Sequence, residues 1–254
     1  MTASPVLPTL RRYHALLYVA TTLGIAAFWP HVDAPDMATK LYVLAATLGY
    51  AALYTLPVYF LSSAARRVLW RGEKPARWRV GVVLGLPVIS GASVLLAIYA
   101  DYLLYAMFDY HVNGFVWNLI TTPGGIAALG ATRSTEITVA FQSGLFFLGC
   151  AAAMVVVRRL QERWWAPTRR QIVLGYLVAL SGLAGTEFLY AYSVFTGQEN
   201  VLAAADTIPF HLHSRATGFL KSLGVERTAN TELRLSGGPV SYPGSNLATD
   251  IKGQ

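Results

Sequence analysis

Asp101 and Glu187 are acidic side chains set inside long apolar runs. A charge at the centre of a bilayer costs at least about 2.5–3.5 kcal/mol on insertion scales, so a carboxylate in such a run is a candidate for chemistry. Downstream of Asp101 the chain reads ADYLLYAMFDYHVNGFVWNLITTPGG, which brings Tyr105, Asp109, His111, Asn113 and Trp117 close together in sequence. Asn and His can hydrogen-bond to a lipid glycerol or phosphate without a large buried charge. A metal fits less well. Asp109 and His111 are two residues apart, on different sides of a helix, and no HExxH-type spacing occurs. A second cluster lies in PFHLHSRATGFLKSLG, where His211, Arg215 and Lys221 offer donors to phosphate. With Glu187, these residues form the candidate lipid-binding set. No catalytic residue is assigned, since GxSxG, P-loop and GxGxxG patterns are all lacking, and no cofactor is implied. The middles of the first, second and fourth apolar runs hold no ionisable residue, so no acid relay crosses them.

The elements that must position these residues follow from composition. The chain has 254 residues, of which 54% are hydrophobic and 13% charged. A soluble domain carries about 25% charged residues. That deficit and a mean hydropathy of +0.45 indicate an all-α integral membrane protein. The single cysteine, Cys150, permits neither a disulfide framework nor a cysteine metal site and reads as a small packed residue. Five runs approach or exceed the span of a bilayer: 13–29, 41–64, 80–108, 137–157 and 172–195. The first follows Arg11 and Arg12 as a signal peptide would, but it ends in Phe28, Trp29 and Pro30 without a small-residue cleavage site, so it reads as a retained span. The third is longer than a bilayer needs, so it must tilt or stand out of the membrane. Glu187 lies about 23 Å into the fifth run at 1.5 Å per residue, and Asp101 lies at or past the outer boundary of the third. They are either interfacial carboxylates that pack helices or the lining of an outward-opening headgroup cleft. In both cases they should face protein or a polar cleft rather than lipid.

Orientation follows from the loops. Arg11, Arg12, Arg66, Arg67, Arg71, Lys74, Arg77, Arg79, Arg158, Arg159, Arg163, Arg169 and Arg170 fall on one side, against Lys40 and Arg133 in the opposite loops. The positive-inside rule then predicts a cytoplasmic N-terminus and an external C-terminal tail. The net charge of +7 is a topology and lipid-attraction signal, with no nucleic-acid motif beside it. Trp70, Trp78, Trp164 and Trp165 on one side and Trp29 and Trp117 on the other form aromatic belts. TPGG at 122–125 signals a turn, and Ser134 is the expected N-cap of the fourth span, with Glu136 in its first turn. Residues 1–195 therefore read as a five-helix transmembrane domain. Residues 196–254 read as an external linker leading into a further globular domain, with turn signals at 236–239 and 242–244. Within it Leu212, Ala216, Phe219, Leu220 and Leu223 share one helical face, predicting an amphipathic helix over about 209–223, opened by Pro209 and stopped by Gly224.

The stretches ADYLLYAMFDYHVNGFVWNLITTPGGIAALGATRSTEI and IPFHLHSRATGFLKSLGV carry a resemblance. The first is similar to a D-x-x-x-Y, FH-x-NGFV, TPGG pattern and the second to a PL-x-A-x-x-FL-x-x-LG linker. With the five-span topology, the chain resembles the membrane half of the lipoteichoic-acid-synthase-like and YejM (PbgA)-like proteins of the sulfatase/alkaline-phosphatase superfamily. The resemblance implies a bacterial inner-membrane domain that anchors a C-terminal phosphoglycerol or phosphoethanolamine transferase, or a lipid or lipopolysaccharide regulator. Its partners would be the membrane, phospholipid or lipopolysaccharide, and that globular domain. The family's metal and nucleophile match no residue in this stretch. Two other readings stay open: a membrane enzyme complete in this chain, acting on headgroups through Glu187, Asp101 and His111, and a purely structural anchor.

Overall fold

The computed structural model describes residues 6–70, 76–125, 132–160 and 165–225. Arg71, Lys74, Arg163, Trp164 and the turn signals beyond residue 225 lie outside these. The described residues are all-helical, with no strand. In chain order the elements are α1 (Val6–Ala26), a 3-10 turn (Trp29–His31), α2 (Met37–Leu69), α3 (Arg77–Phe108), α4 (Gly114–Thr121), α5 (Arg133–Arg159), α6 (Arg169–Thr196), α7 (Glu199–Ala205) and α8 (Thr217–Ser222).

Four of these helices, α2, α3, α5 and α6, are long and apolar enough to cross a membrane. Side-chain caps start α2, α5 and α6 a few residues before their apolar stretches, whereas α3 begins after Ala76 with no side-chain cap. Asp36 accepts from the Thr39 N–H at the start of α2 (2.7 Å), and Thr168 pairs reciprocally with Gln171 at the start of α6. Hydrogen bonds from Thr39 and from the Asn200 amide hold the Asp36 carboxyl below the usual carboxylate range. The cap of α5 differs from expectation. Thr132, not Ser134, is the N-cap, because Thr132 and Thr135 satisfy each other's backbone N–H groups and Ser134 falls inside the first turn. Glu136 does lie in that turn. The TPGG turn also forms, with the Gly125 N–H bonded to the Thr122 carbonyl (2.9 Å) and Gly124 at φ +80, a conformation that glycine adopts without steric cost.

Helix α1 is not among those four. It takes in Arg11 and Arg12 and stops at Ala26, which leaves an unbroken apolar length of about 21 Å at 1.5 Å per residue, short of a hydrocarbon core of about 30 Å. It is nonetheless packed into the bundle. His14 meets Ser62 of α2 (2.7 Å), and the Tyr13 hydroxyl donates to the Pro87 carbonyl of α3 (3.3 Å).

Helix α2 is the hub, packing against α1, α3, α6 and α7. Just over half of its most apolar stretch is buried among other helices, but only about a tenth of the corresponding stretches of α5 and α6. The pairs Tyr50–Glu187 and Thr55–Tyr176 run in opposite senses along α2 and α6, so these helices are antiparallel. They pack tightly at Gly49, where an added Cβ would fall 2.6 Å from the Leu183 Cβ. Gly49→Ala should therefore force the helices apart and remove about 1–3 kcal/mol, the range for overpacking. An unchanged melting temperature would show that this crossing tolerates separation. The up-and-down order gathers Arg66, Arg67, Arg77, Arg79, Arg158, Arg159, Arg169 and Arg170 at one end of the bundle and leaves Arg133, at the start of α5, at the opposite end. At that opposite end lie the carboxyl termini of α3 and α6, with the 206–225 segment against them.

The largest departure from the sequence reading is in that segment. Only Thr217–Ser222 is helical, not 209–223. Phe210 and His213 take left-handed backbone conformations (φ 53 and 49), which no α-helix accommodates. Hydrogen bonds of Pro209, Leu212 and Ser214 with Tyr54, Tyr50 and Glu187 outweigh the helical pattern.

Candidate functional site

Asp101 is wholly buried two turns before the end of α3. There Asp109, in a left-handed conformation that Asp tolerates better than most residues, reverses the chain. The reversal lays His111 and Val112 back over Asp101. His111 Nδ1 lies 2.5 Å from Asp101 Oδ2, and the Val112 N–H donates to Oδ1 (2.6 Å). His111 Nε2 faces the Asp206 carbonyl at 2.9 Å. A carbonyl only accepts, so Nε2 carries hydrogen, and one further proton lies between the ring and the carboxyl group. Tyr105 stacks on the His111 ring at 4.6 Å, with Phe28 on another side at 5.5 Å.

Glu187, on α6, is also buried. Its Oε1 accepts from the Tyr50 hydroxyl (2.5 Å) and its Oε2 from the Ser214 hydroxyl (2.6 Å). The Tyr50 oxygen in turn accepts the Leu212 N–H (2.8 Å), and Tyr54 donates to the Pro209 carbonyl (2.5 Å). His211 fills the space between. Its Nδ1 accepts the His213 N–H (3.0 Å), so its hydrogen sits on Nε2, 3.1 Å from the Tyr42 oxygen and 3.3 Å from Glu187 Oε1. Burial pushes the His211 ring down to about pKa 4, a larger effect than the opposing pull of Glu187. The imidazole is therefore neutral near pH 7, and its closeness to Glu187 is a hydrogen-bonding contact rather than an ion pair.

Asp101, Tyr105 and His111 thus come together, as do Glu187 and His211. The 206–214 segment joins the two groups through the Asp206 carbonyl on one side and Ser214 and Leu212 on the other. Both carboxylates face protein. Asn113 has a different role from that expected: its side chain caps α4 by accepting from the Phe115 and Val116 N–H groups. Asp109 is the C-cap of α3. Trp117 is exposed on α4 with Phe115 and Ile120. Arg215 and Lys221 are exposed. Of the proposed apolar face only Leu220 is buried, and Leu212, Phe219 and Leu223 remain open at the surface. Sequence reading missed Tyr42, Tyr50 and Tyr54. Their signal is three phenols along one helix at spacings of eight and four, in a run with few other polar groups, and a buried Tyr hydroxyl needs a partner. It also missed Ser214, Asp206 and the buried His14. Among the described residues no group of three or more His, Cys, Asp or Glu is placed to hold a metal ion.

A helical bundle with four membrane-length apolar helices, closed at one end by a polar loop locked onto buried carboxylates, defines a multi-helix domain compatible with a membrane. The family model described as a domain of unknown function (DUF3413) matches residues 13–247, and the chain belongs to that family. No curated protein matches it.

Proposed function

We propose that the chain is the five-span membrane domain of a bacterial inner-membrane protein, with α1 as the first span, its N-terminus in the cytoplasm and the 206–225 segment on the outer face. There it presents or senses phospholipid or lipopolysaccharide for a C-terminal sulfatase-like domain, as the resemblance implies. One observation carries the reading. The 206–214 segment is fastened to Glu187 directly and to Asp101 through His111, and it and the residues that follow leave Leu212, Phe219 and Leu223 open beside Arg215 and Lys221. Apolar side chains next to bases suit the headgroup–acyl boundary. Asp101 and Glu187 have their oxygens occupied by protein donors, which supports a holding role for them rather than direct action on a headgroup.

In the experiment that tests this, wild type and the double variant Arg215→Ala, Lys221→Ala are compared for binding to phosphate-bearing lipid at low and high salt. Each base near an anionic surface is worth about 1 kcal/mol, so the variant should bind roughly tenfold or more weakly at low salt and much like wild type at high salt. Equal binding at low salt would remove the headgroup role. Topology is checked separately by a reporter joined after Gln254, which should report the extracytoplasmic side. A cytoplasmic signal would overturn the five-span count.

A further inference from the structure

A cleft of about 620 Å³ opens between α1, α3 and α5. Most of its lining is apolar. Ala20, Tyr99 and Gln142 line one end, and Tyr13, Cys150 and Ala153 line the other, toward the gathered arginines. Along α5 it extends from Gln142 to Ala153, about 16 Å at 1.5 Å per residue. Its depth follows from the nearest bases on two helices. Tyr99 lies about 30 Å from Arg79 along α3, and Gln142 about 24 Å from Arg158 along α5. A hydrocarbon core is about 30 Å thick. Tyr99 and Gln142 therefore stand near the boundary opposite the arginines, and the cleft runs from there past the midplane. That is the course of one acyl chain in that leaflet. A cavity of about 150 Å³ holds one benzene ring, so 620 Å³ takes roughly two dozen carbon atoms. This suits a chain rather than a helix about 10–12 Å across.

Two polar side chains at the boundary end are the independent sign of a ligand. Gln142 and Tyr99 are half-buried, with part of their surface still open. No described residue hydrogen-bonds the carboxamide or the phenol. The two lie together, since the Tyr99 ring packs on Phe146 at 5.1 Å, one turn along α5 from Gln142. The Tyr13 phenol at the other end differs, being committed to the Pro87 carbonyl. A hydrogen-bonding group without a partner is costly in hydrocarbon. A phenol and a carboxamide NH₂ both donate, so an acceptor satisfies them. The acceptor that a bilayer offers at this depth is the ester carbonyl of a lipid.

We propose that this cleft holds one acyl chain of a bilayer lipid, with Tyr99 and Gln142 donating to its ester carbonyl and the hydrocarbon lying along α1 and α5 toward Tyr13 and Cys150. The proposal rests on the membrane reading but not on which end faces the cytoplasm. It concerns the chain and its linkage, whereas Arg215 and Lys221 concern the headgroup.

The test is native mass spectrometry of the detergent-solubilised chain, offered equal amounts of diester and diether phosphatidylglycerol of the same chain length. The ether keeps the headgroup and the hydrocarbon but has no carbonyl. Wild type should retain the diester about fivefold over the diether, the factor one net hydrogen bond carries. Tyr99→Phe combined with Gln142→Leu should erase that preference. Gly149→Phe puts a ring into the cleft without a backbone clash, since an added Cβ at Gly149 meets nothing within 4 Å. It should cut retention of both lipids severalfold at an unchanged melting temperature. Equal retention of diester and diether by wild type, or wild-type retention in Gly149→Phe, overturns the proposal. A dimer that Gly149→Phe dissociates without loss of lipid assigns the groove to a second copy and overturns it too. The double variant Arg215→Ala, Lys221→Ala should keep the ester preference at low and high salt, so failure of the headgroup reading and failure of this site give different results.

Discussion

Replacing Asp101 with Leu is expected to lower stability by about 2–6 kcal/mol, because two hydrogen-bonding groups are left without a partner and each costs about 1–3 kcal/mol. The two groups lose their partner together, and the chain reversal after α3 loses its anchor. His111 is left with an unpaired Nδ1, and the Val112 N–H has no acceptor. For a chain of this size the change in melting temperature is on the order of 10 °C. Asp101→Asn keeps an acceptor for Val112 and should fall well short of that. His111→Phe keeps the stacking on Tyr105 and the Val112 bond but leaves Asp101 Oδ2 without its partner, so it should fall between the Asn and Leu variants. If Asp101→Leu melts with wild type, the network is ornamental and the folding of 109–113 has another cause.

The second large effect is set by pH. The His211 ring titrates near 4 in the folded chain against about 6.5 unfolded. The unfolded state therefore takes up the proton first. Stability attached to this ring is complete above about pH 6.5 and declines as pH falls toward 4, with a slope of up to about 1.4 kcal/mol per pH unit. Glu187 and Asp206 oppose the depression, while His213 and His111 add to it, so a single variant is needed to isolate the ring. Melting should fall between pH 7.5 and pH 5 in wild type, and His211→Gln should flatten that slope while keeping a donor for Tyr42. Parallel curves for the two proteins would place the acid sensitivity elsewhere.

The long helices were legible because bilayer-length apolar runs are a strong signal, and the helices depart from the runs mainly where caps extend them. Thr132 was passed over for Ser134 because cap choice turns on which hydroxyl meets which N–H, a matter of sub-ångström geometry. Asp101, Tyr105 and His111 were legible as a group because the chain reverses within a few residues. Their link to Asp206 was not, since it spans 95 positions. The 209–223 reading failed for an instructive reason. A helical pattern over a short polar stretch is a weak preference, and Tyr50 and Tyr54 bond the backbone at Leu212 and Pro209 while Glu187 bonds the Ser214 hydroxyl, all in a non-helical course. The phenols on α2 were overlooked because the search was for charge. Here the neutral hydroxyls of Tyr50, Tyr54 and Ser214 hold the loop.

The fastening of residues 206–214 also has a mechanical consequence. A pull applied through residue 225 reaches the bonds of this segment one after another along the chain. It meets the Ser214–Glu187 bond on α6, the Leu212–Tyr50 and Pro209–Tyr54 bonds on α2, and the Asp206–His111 bond over α3. The bonds are anchored on α6, on α2 and on the loop after α3, so residues 206–214 leave the bundle only when all of them have broken.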